Sequence, residues 1–265
     1  MDIKKYNYKL TPLGGLNNSN YKLSINEDKY FYREPKISPS KDFTKEYSIL
    51  KLLQGKGITP ELLYFNQNNG FLISEYLDKG VLTEETQNTT SFINNFSKSL
   101  RSFHSLSCDF YFNPFKDIEE NLSYLYANKF NISRKINTLI NKLKSLEKSL
   151  LSNVDLGLCH NDLNPSNVLY RDNKAYLIDF EFSAMGDIFY DLATFSWLLT
   201  KEGRIQLLEA YFGEFRSEDY NKLNDYLFVV KIWNALWSYK KSLEGDFSYD
   251  YKRGGDLIIN DLEHN

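Results

Sequence analysis

A chain of the α+β class in two unequal lobes, a small β-rich one followed by a larger, mainly helical one, is what this 265-residue sequence predicts. Three observations carry the prediction. Short runs alternate apolar and polar residues as far as Ser74, the pattern of strands. After Glu75-Tyr76-Leu77 apolar residues recur instead at helical spacing over long segments. A single stretch, Leu158 to Phe182, breaks the helical pattern and returns to short runs. Residues 1–77 then form the first lobe and 78–265 the second, and the length suffices to bury a full core.

The elements follow in order. Tyr6–Leu10, Tyr21–Ile25 and Lys29–Arg33 read as a meander, with turns at Leu13–Asn20 and at Asn26-Glu27-Asp28. Asp42 is placed to cap a helix in which Phe43, Tyr47, Leu50 and Leu53 share a face and which Gly55 and Gly57 end. Leu62–Phe65 and Phe71–Ser74 make two further strands around the turn Asn66–Gly70. Helices are expected near 86–106, 117–151, 190–201, 203–213 and 218–244, with a short one near 255–263. Between them Val168–Tyr170 and Ala175–Ile178 form a hairpin across Arg171-Asp172-Asn173.

Composition narrows the function classes. The net charge is −3, with basic and acidic side chains interspersed, so there is no electrostatic footprint for nucleic acid, and a small-molecule or protein substrate is expected. Cys108 and Cys159 belong to no metal-ligand spacing and read as two reduced thiols. No apolar run approaches the ~18 residues that span a bilayer, and MDIKKYNYKL lacks the apolar core of a signal peptide. The expectation is a cytoplasmic protein without stable membrane insertion. Nothing in the pattern fixes an oligomeric state.

The chemistry concentrates in His160-Asn161-Asp162-Leu163-Asn164-Pro165-Ser166-Asn167 and, twelve positions after Asn167, Asp179-Phe180-Glu181 at the end of an apolar run. An acid two residues after a histidine, an amide five further on and a second carboxylate closing a strand read as the catalytic loop and metal-binding strand of a kinase. Phosphoryl transfer from ATP needs the acceptor hydroxyl oriented and Mg2+ held against the phosphates. Asp162 would orient the hydroxyl and so touch substrate, Asn167 would hold the metal through its amide oxygen, and Asp179 would bind it where it bridges phosphates; hard oxygen ligands suit that ion. Glu181 either joins the metal or caps the strand. His160 is expected to brace the loop.

The strings CHNDLNPSNVLY and AYLIDFEFSAMGDIFYDLATF resemble the choline/ethanolamine kinase family, within the wider aminoglycoside-phosphotransferase and protein-kinase-like fold. The resemblance implies a protein-kinase-like bilobal fold and ATP- and Mg2+-dependent transfer to the hydroxyl of choline or ethanolamine, a small-molecule amino-alcohol acceptor. Residues Leu13 to Tyr21 are similar to the family's glycine-containing loop, which implies phosphate contacts around Asn18, Ser19 and Asn20. Arg33 stands where protein kinases keep a phosphate-binding lysine, Glu46 would pair with it, and Glu75 and Leu77 flank the segment that would present backbone groups to adenine.

A quaternary ammonium offers no hydrogen-bond donor and is held by aromatic faces and nearby carboxylates. Trp233, Trp237 and Tyr249 lie in segments that look like the family's late tryptophan helix and following aromatic segment, and Phe182 closes the metal strand where a tyrosine is usual. The tryptophans stand four apart rather than three, and only Trp237 aligns securely. Their shared helix face suits core packing as well as a pocket. Asp191 is expected to brace the catalytic loop. Two other readings stay open: a kinase for another cationic metabolite, such as thiamine or an aminoglycoside, and a non-catalytic, kinase-shaped binding protein.

Overall fold

The computed structural model describes residues 7–14, 18–35, 42–78, 82–132, 136–244 and 249–264. Tyr6 of the expected first strand, Gly15–Asn17 of the glycine loop and Asp246–Ser248 of the late aromatic segment lie outside them.

The first part is an antiparallel sheet of β1 (Tyr8–Leu13), β2 (Asn18–Ile25), β3 (Asp28–Pro35), β4 (Leu62–Phe65) and β5 (Leu72–Glu75), in the order β1-β2-β3-β5-β4. Helix α1 (Thr44–Leu53) is inserted between β3 and β4. Its N-cap is Phe43, without a side-chain cap bond, rather than the expected Asp42, which stands one residue earlier and whose Oδ1 accepts from the Thr44 amide at 2.8 Å. Glu46, Ile49, Leu50 and Leu53, three or four apart, form its buried stripe. A second expectation fails here. Asn18, Ser19 and Asn20 are the start of β2 rather than a loop, because β3 runs on to Pro35 and supplies ladder partners: Asn18 opposite Pro35, Ser19 opposite Glu34, Asn20 opposite Arg33.

The second part contains α2 (Glu84–Gln87), α3 (Thr90–His104), α4 (Pro114–Ala127), α5 (Ile136–Ser152), α6 (Ile188–Ser196), α7 (Lys201–Phe212), α8 (Ser217–Leu243) and α9 (Tyr251–His264). The single helix expected over 117–151 is two. The Phe130 amide turns back to Leu125 O at 2.9 Å, and Lys129 takes the left-handed conformation, φ +53°, that ends a helix. The expected 86–106 helix likewise starts afresh, with the Thr89 hydroxyl accepting from the Phe92 amide. The hairpin β7 (Val168–Arg171) and β8 (Lys174–Leu177) turns on Asp172 and Asn173 at φ +50° and +56°, the double left-handed geometry of a two-residue hairpin. Missing from the sequence reading was the pairing of β6 (Leu156–Cys159) with β9 (Ala184–Asp187).

Helix α6 is buried along its whole length and α8 through its middle, with Phe189, Leu192, Phe195, Val229, Val230 and Leu236 in one core. This core is the platform on which the β6–β9 region sits. Among the described residues no helix is long and apolar enough to cross a membrane.

Candidate active site

The loop after β6 is fixed from below by a carboxylate. Asp191, on α6 and fully buried, accepts the His160 amide at 2.6 Å with one oxygen and the Asn161 amide at 2.8 Å with the other. His104 Nε2 lies 3.0 Å from the same carboxylate, while His104 Nδ1 meets the Tyr211 hydroxyl at 2.8 Å. The chain then turns through Asn161 at φ +64°, a conformation asparagine tolerates better than most residues. Its side-chain amide donates to Phe182 O at 3.1 Å. His160 braces as expected: Nε2 donates to Ile178 O at 2.8 Å.

These bonds aim Asp162. Its Oδ1 accepts from Asn164 Nδ2 at 3.1 Å, and its Oδ2 from Asn167 Nδ2 at 3.0 Å. Asn167 Nδ2 also donates to the Asp162 backbone oxygen at 2.8 Å, which turns the amide oxygen of Asn167 away from Asp162. Burial pushes the Asp162 carboxyl above the usual range, against the opposing pull of His160 and the two amides.

The second motif arrives beside the first because the Ile178 amide donates to Asn167 O at 3.0 Å. Asp179 follows at φ +68°, a left-handed geometry for a non-glycine residue. Its Oδ1 lies 3.4 Å from Arg33 Nη1. The guanidinium of Arg33 is buried and engaged bidentately by Glu46, at 2.7 and 2.8 Å, while its Nε has no partner among the described residues. Burial raises the Asp179 pKa to about 6; Arg33 opposes the rise, and Glu181 and Glu46 add to it.

On the far side of Asp179 begins a run of aromatic rings. Phe182 meets Trp233 edge-to-face at 6.4 Å, Trp233 stacks on Trp237 at 6.3 Å, Trp237 meets Tyr251 edge-to-face at 5.8 Å, and Tyr251 meets Tyr249 at 5.2 Å. Trp233 is buried with its neighbours on α8, whereas Trp237 is half-buried and Tyr249 about half exposed. The Trp233 indole N–H donates to Asp117 Oδ2 on α4.

The expected site residues thus fall into three groups. Asp162, Asn167, Asp179 and Glu181 come together, with Arg33 and Glu46 reaching them from the sheet and α1. Phe182, Trp233 and Trp237 form a ring path that reaches Tyr249 only through Tyr251, a ring not foreseen from the sequence. On the nucleotide side, Asn20 Nδ2 donates to Gly14 O at 3.2 Å within the strand pair, and the Glu75 amide donates to Glu61 O at 2.8 Å. Residues the sequence reading missed are Asn164, which its turn-forming type disguised, Lys45, whose Nζ reaches Phe182 O at 3.2 Å from α1, and Asp117.

The donor set fits a divalent cation. Asp179 and Glu181 offer carboxylates in a place with surplus negative charge, and Asn167 offers an amide oxygen. The unpartnered, buried Arg33 Nε–H fits a phosphate oxygen.

Residues 9–226 match the model of a family described as a phosphotransferase enzyme family. A protein LicA homolog of Metamycoplasma hominis is 32% identical over 197 residues, covering 70% of this chain and 71% of its own. Among solved structures, a choline/ethanolamine kinase family protein from Mesorhizobium loti superposes with a TM-score of 0.84 at 20% identity, over 98% of this chain and 88% of that one. Choline kinase LicA from Streptococcus pneumoniae gives 0.80 at 24% identity, over 97% and 94%. At these identities the structural likenesses establish the fold, and the kinase-like architecture expected from the motifs holds.

Proposed function

We propose that this chain, which belongs to the phosphotransferase enzyme family, transfers the γ-phosphoryl group of ATP to the primary hydroxyl of choline or ethanolamine. In this reading residues 1–77 are the nucleotide-binding lobe and 78–265 the catalytic and acceptor-binding lobe. The observation that carries it is one of adjacency: the run of aromatic rings starts at Phe182, three residues past Asp179, so a ring-lined place for an ammonium adjoins the carboxylates that phosphoryl transfer requires. The LicA relatives, one of them named as a choline kinase, favour the same acceptor.

Asp162 accepts the acceptor's hydroxyl hydrogen and turns the oxygen toward the γ-phosphorus. As the new O–P bond forms, the bond to the ADP oxygen breaks and the hydroxyl proton passes to the carboxylate or onward to solvent. The amides of Asn164 and Asn167 hold both Asp162 oxygens, so the reactive orientation is set before substrate arrives. Its raised pKa makes it a better proton acceptor than an ordinary aspartate. Asp179, Asn167 and Glu181 would hold Mg2+, which when bound spreads the charge of the transferring group. Arg33, kept in register by Glu46, directs its Nε–H at a nucleotide phosphate.

An aminoglycoside acceptor would want several carboxylates, whereas among the described residues the carboxylate hydrogen-bonded to either tryptophan is Asp117. The test measures ATP consumption and phosphorylated product with choline, ethanolamine, thiamine and kanamycin. Turnover confined to choline and ethanolamine supports the proposal. Turnover with kanamycin or thiamine alone replaces it, and nucleotide binding without turnover on any acceptor leaves a kinase-shaped binding protein.

A further inference from the structure

Lys45 sits where a lysine gains little. It stands in the first turn of α1, the end of a helix that disfavours a cation, and it is half-buried, without an ion pair to any carboxylate among the described residues. Burial pulls its pKa below the usual lysine range, with the Cys108 thiol opposing. What its ammonium does have is the carbonyl oxygen of Phe182, 3.2 Å away and 137 positions on in the sequence. A bond to a neutral oxygen offsets the desolvation of an ammonium less well than a carboxylate would, so the stability of α1 does not explain the residue.

The acceptor of that bond lies at a junction. Phe182 O also takes Asn161 Nδ2, at 3.1 Å, from the catalytic loop, and the Phe182 ring meets Trp233 at the start of the ring path. Between Asp179 and Phe182 the chain turns tightly, closed by the Ser183 amide on Phe180 O at 3.1 Å, so its ends move as one. The next residue on α1, Glu46, grips Arg33 at 2.7 and 2.8 Å, and Arg33 lies 3.4 Å from Asp179. One helical turn therefore holds both ends of the segment: Asp179 through Glu46 and Arg33, Phe182 through Lys45. A phosphate drawn to the Arg33 Nε–H fixes α1, and α1 so fixed sets the Lys45 ammonium on Phe182 O. The two bonds to that oxygen differ in kind. Asn161 places it within the helical part whatever α1 does, whereas the Lys45 bond forms only when α1 is in place.

Building on the acceptor reading above, we propose that Lys45 is a positioning residue that couples the two substrate sites, its bond to the Phe182 carbonyl making nucleotide binding at Arg33 and acceptor binding at the Phe182 ring each strengthen the other. Because Asn161 holds the same oxygen independently, loss of Lys45 leaves each site able to bind and removes the communication between them.

Calorimetric titration of the full chain measures that coupling, with Mg2+ and the non-transferable analogue AMP-PNP, first without choline and then with choline at saturation. In the wild type, choline should tighten the Kd of the analogue about fivefold or more, and by linkage the analogue should tighten that of choline by the same factor. Lys45→Met keeps the apolar stem and removes the charge. It should bring the factor below about two while the Kd of the analogue without choline moves less than about twofold, and Lys45→Arg should recover part of the factor. In steady state the KM of both substrates should rise together in Lys45→Met. A residue that serves only the packing of α1 would instead weaken both binary affinities and leave the factor as it was, and that result overturns the proposal. So does a wild-type factor near one, which needs no variant, and Lys45→Ala reads the same factor should the methionine variant fold poorly. A wild type inert toward choline and ethanolamine alike sinks the acceptor reading and this proposal with it, a result distinct from an active enzyme whose factor ignores Lys45, which sinks the proposal alone.

Discussion

Asp179 is the residue at which function works against stability, and replacing it by asparagine tests the size of that conflict. Its pKa stands at about 6 against 3.8 for an ordinary aspartate, with burial the chief cause and Glu181 and Glu46 adding to it over the opposing pull of Arg33. The folded protein therefore binds this proton more tightly than the unfolded chain, so stability falls as the pH climbs from about 4 to about 6 and levels off above. A rise of that size corresponds to roughly 3 kcal/mol, and because the side chain is 32% exposed, solvent screening brings the figure to about 1–2 kcal/mol. Asp179→Asn keeps an oxygen toward Arg33 and abolishes the titration. Without nucleotide or metal, thermal melts at pH 7 should place the variant ~3–5 °C above the wild type, and the two should converge near pH 4. Mg-ATP should then raise the Tm of the wild type and leave the inactive variant almost unmoved. A variant no more stable than wild type at pH 7, with the same slope between pH 4 and 6, would refute the claim that this carboxylate is held at a cost to stability.

Asp162→Ala should remove detectable transfer while the Kd for ATP, read by calorimetry, changes less than about threefold, since its bonds are to the catalytic loop and not to the nucleotide lobe. Glu46→Leu leaves a buried guanidinium facing apolar surface and should destabilise by ~3–5 kcal/mol in urea melts, whereas the double variant Arg33→Met with Glu46→Leu should recover much of that loss and still bind ATP poorly. Trp237→Ala should raise the KM of the acceptor several-fold more than that of ATP in steady-state kinetics, because the ring is half-buried and stacked on Trp233. Asp191→Asn puts an amide N–H against the His160 or Asn161 N–H, costing ~1–3 kcal/mol, and should lower kcat with little change in either KM.

The parts legible in the sequence are those whose chemistry is local. The Asp162, Asn167 and Asp179 spacing announced itself because few structural roles ask for that set of polar side chains around a hairpin, and the hairpin was marked by the Asp172-Asn173 turn. The α4–α5 break hid because a lysine, Lys129, takes the left-handed position that glycine or asparagine usually signals. The pairing of β6 with β9 hid because Leu156-Gly157-Leu158-Cys159 and Ala184-Met185-Gly186-Asp187 are four residues each and do not alternate. Asn18 to Asn20 look like loop residues by type, and only the length of β3 draws them into the ladder. Asp117 was invisible for a different reason: an acid in a first helical turn is ordinarily explained by the helix dipole, and nothing nearby in sequence points to Trp233, 116 positions away.

The bonds around the cleft also divide its rigidity unequally. The orientation of Asp162 is settled within the helical part, through the Asn164 and Asn167 amides and through the Asp191 carboxylate beneath the loop, itself fixed on a helix with no exposed residue. Asp179 and Phe182, by contrast, are touched from the other part, by Arg33 at 3.4 Å and Lys45 at 3.2 Å, both long and weak by the standard of the 2.7 and 2.8 Å bonds that join Arg33 to Glu46. Neighbours on α1, Lys45 and Glu46 thus govern the two flanks of the metal segment, one directly and one through Arg33. A shift of α1 would therefore move the metal and ring ends of the cleft while leaving the Asp162 bonds intact. It follows that substitutions on α1 should change nucleotide and acceptor binding together, whereas substitutions beneath the catalytic loop should change the rate of transfer alone.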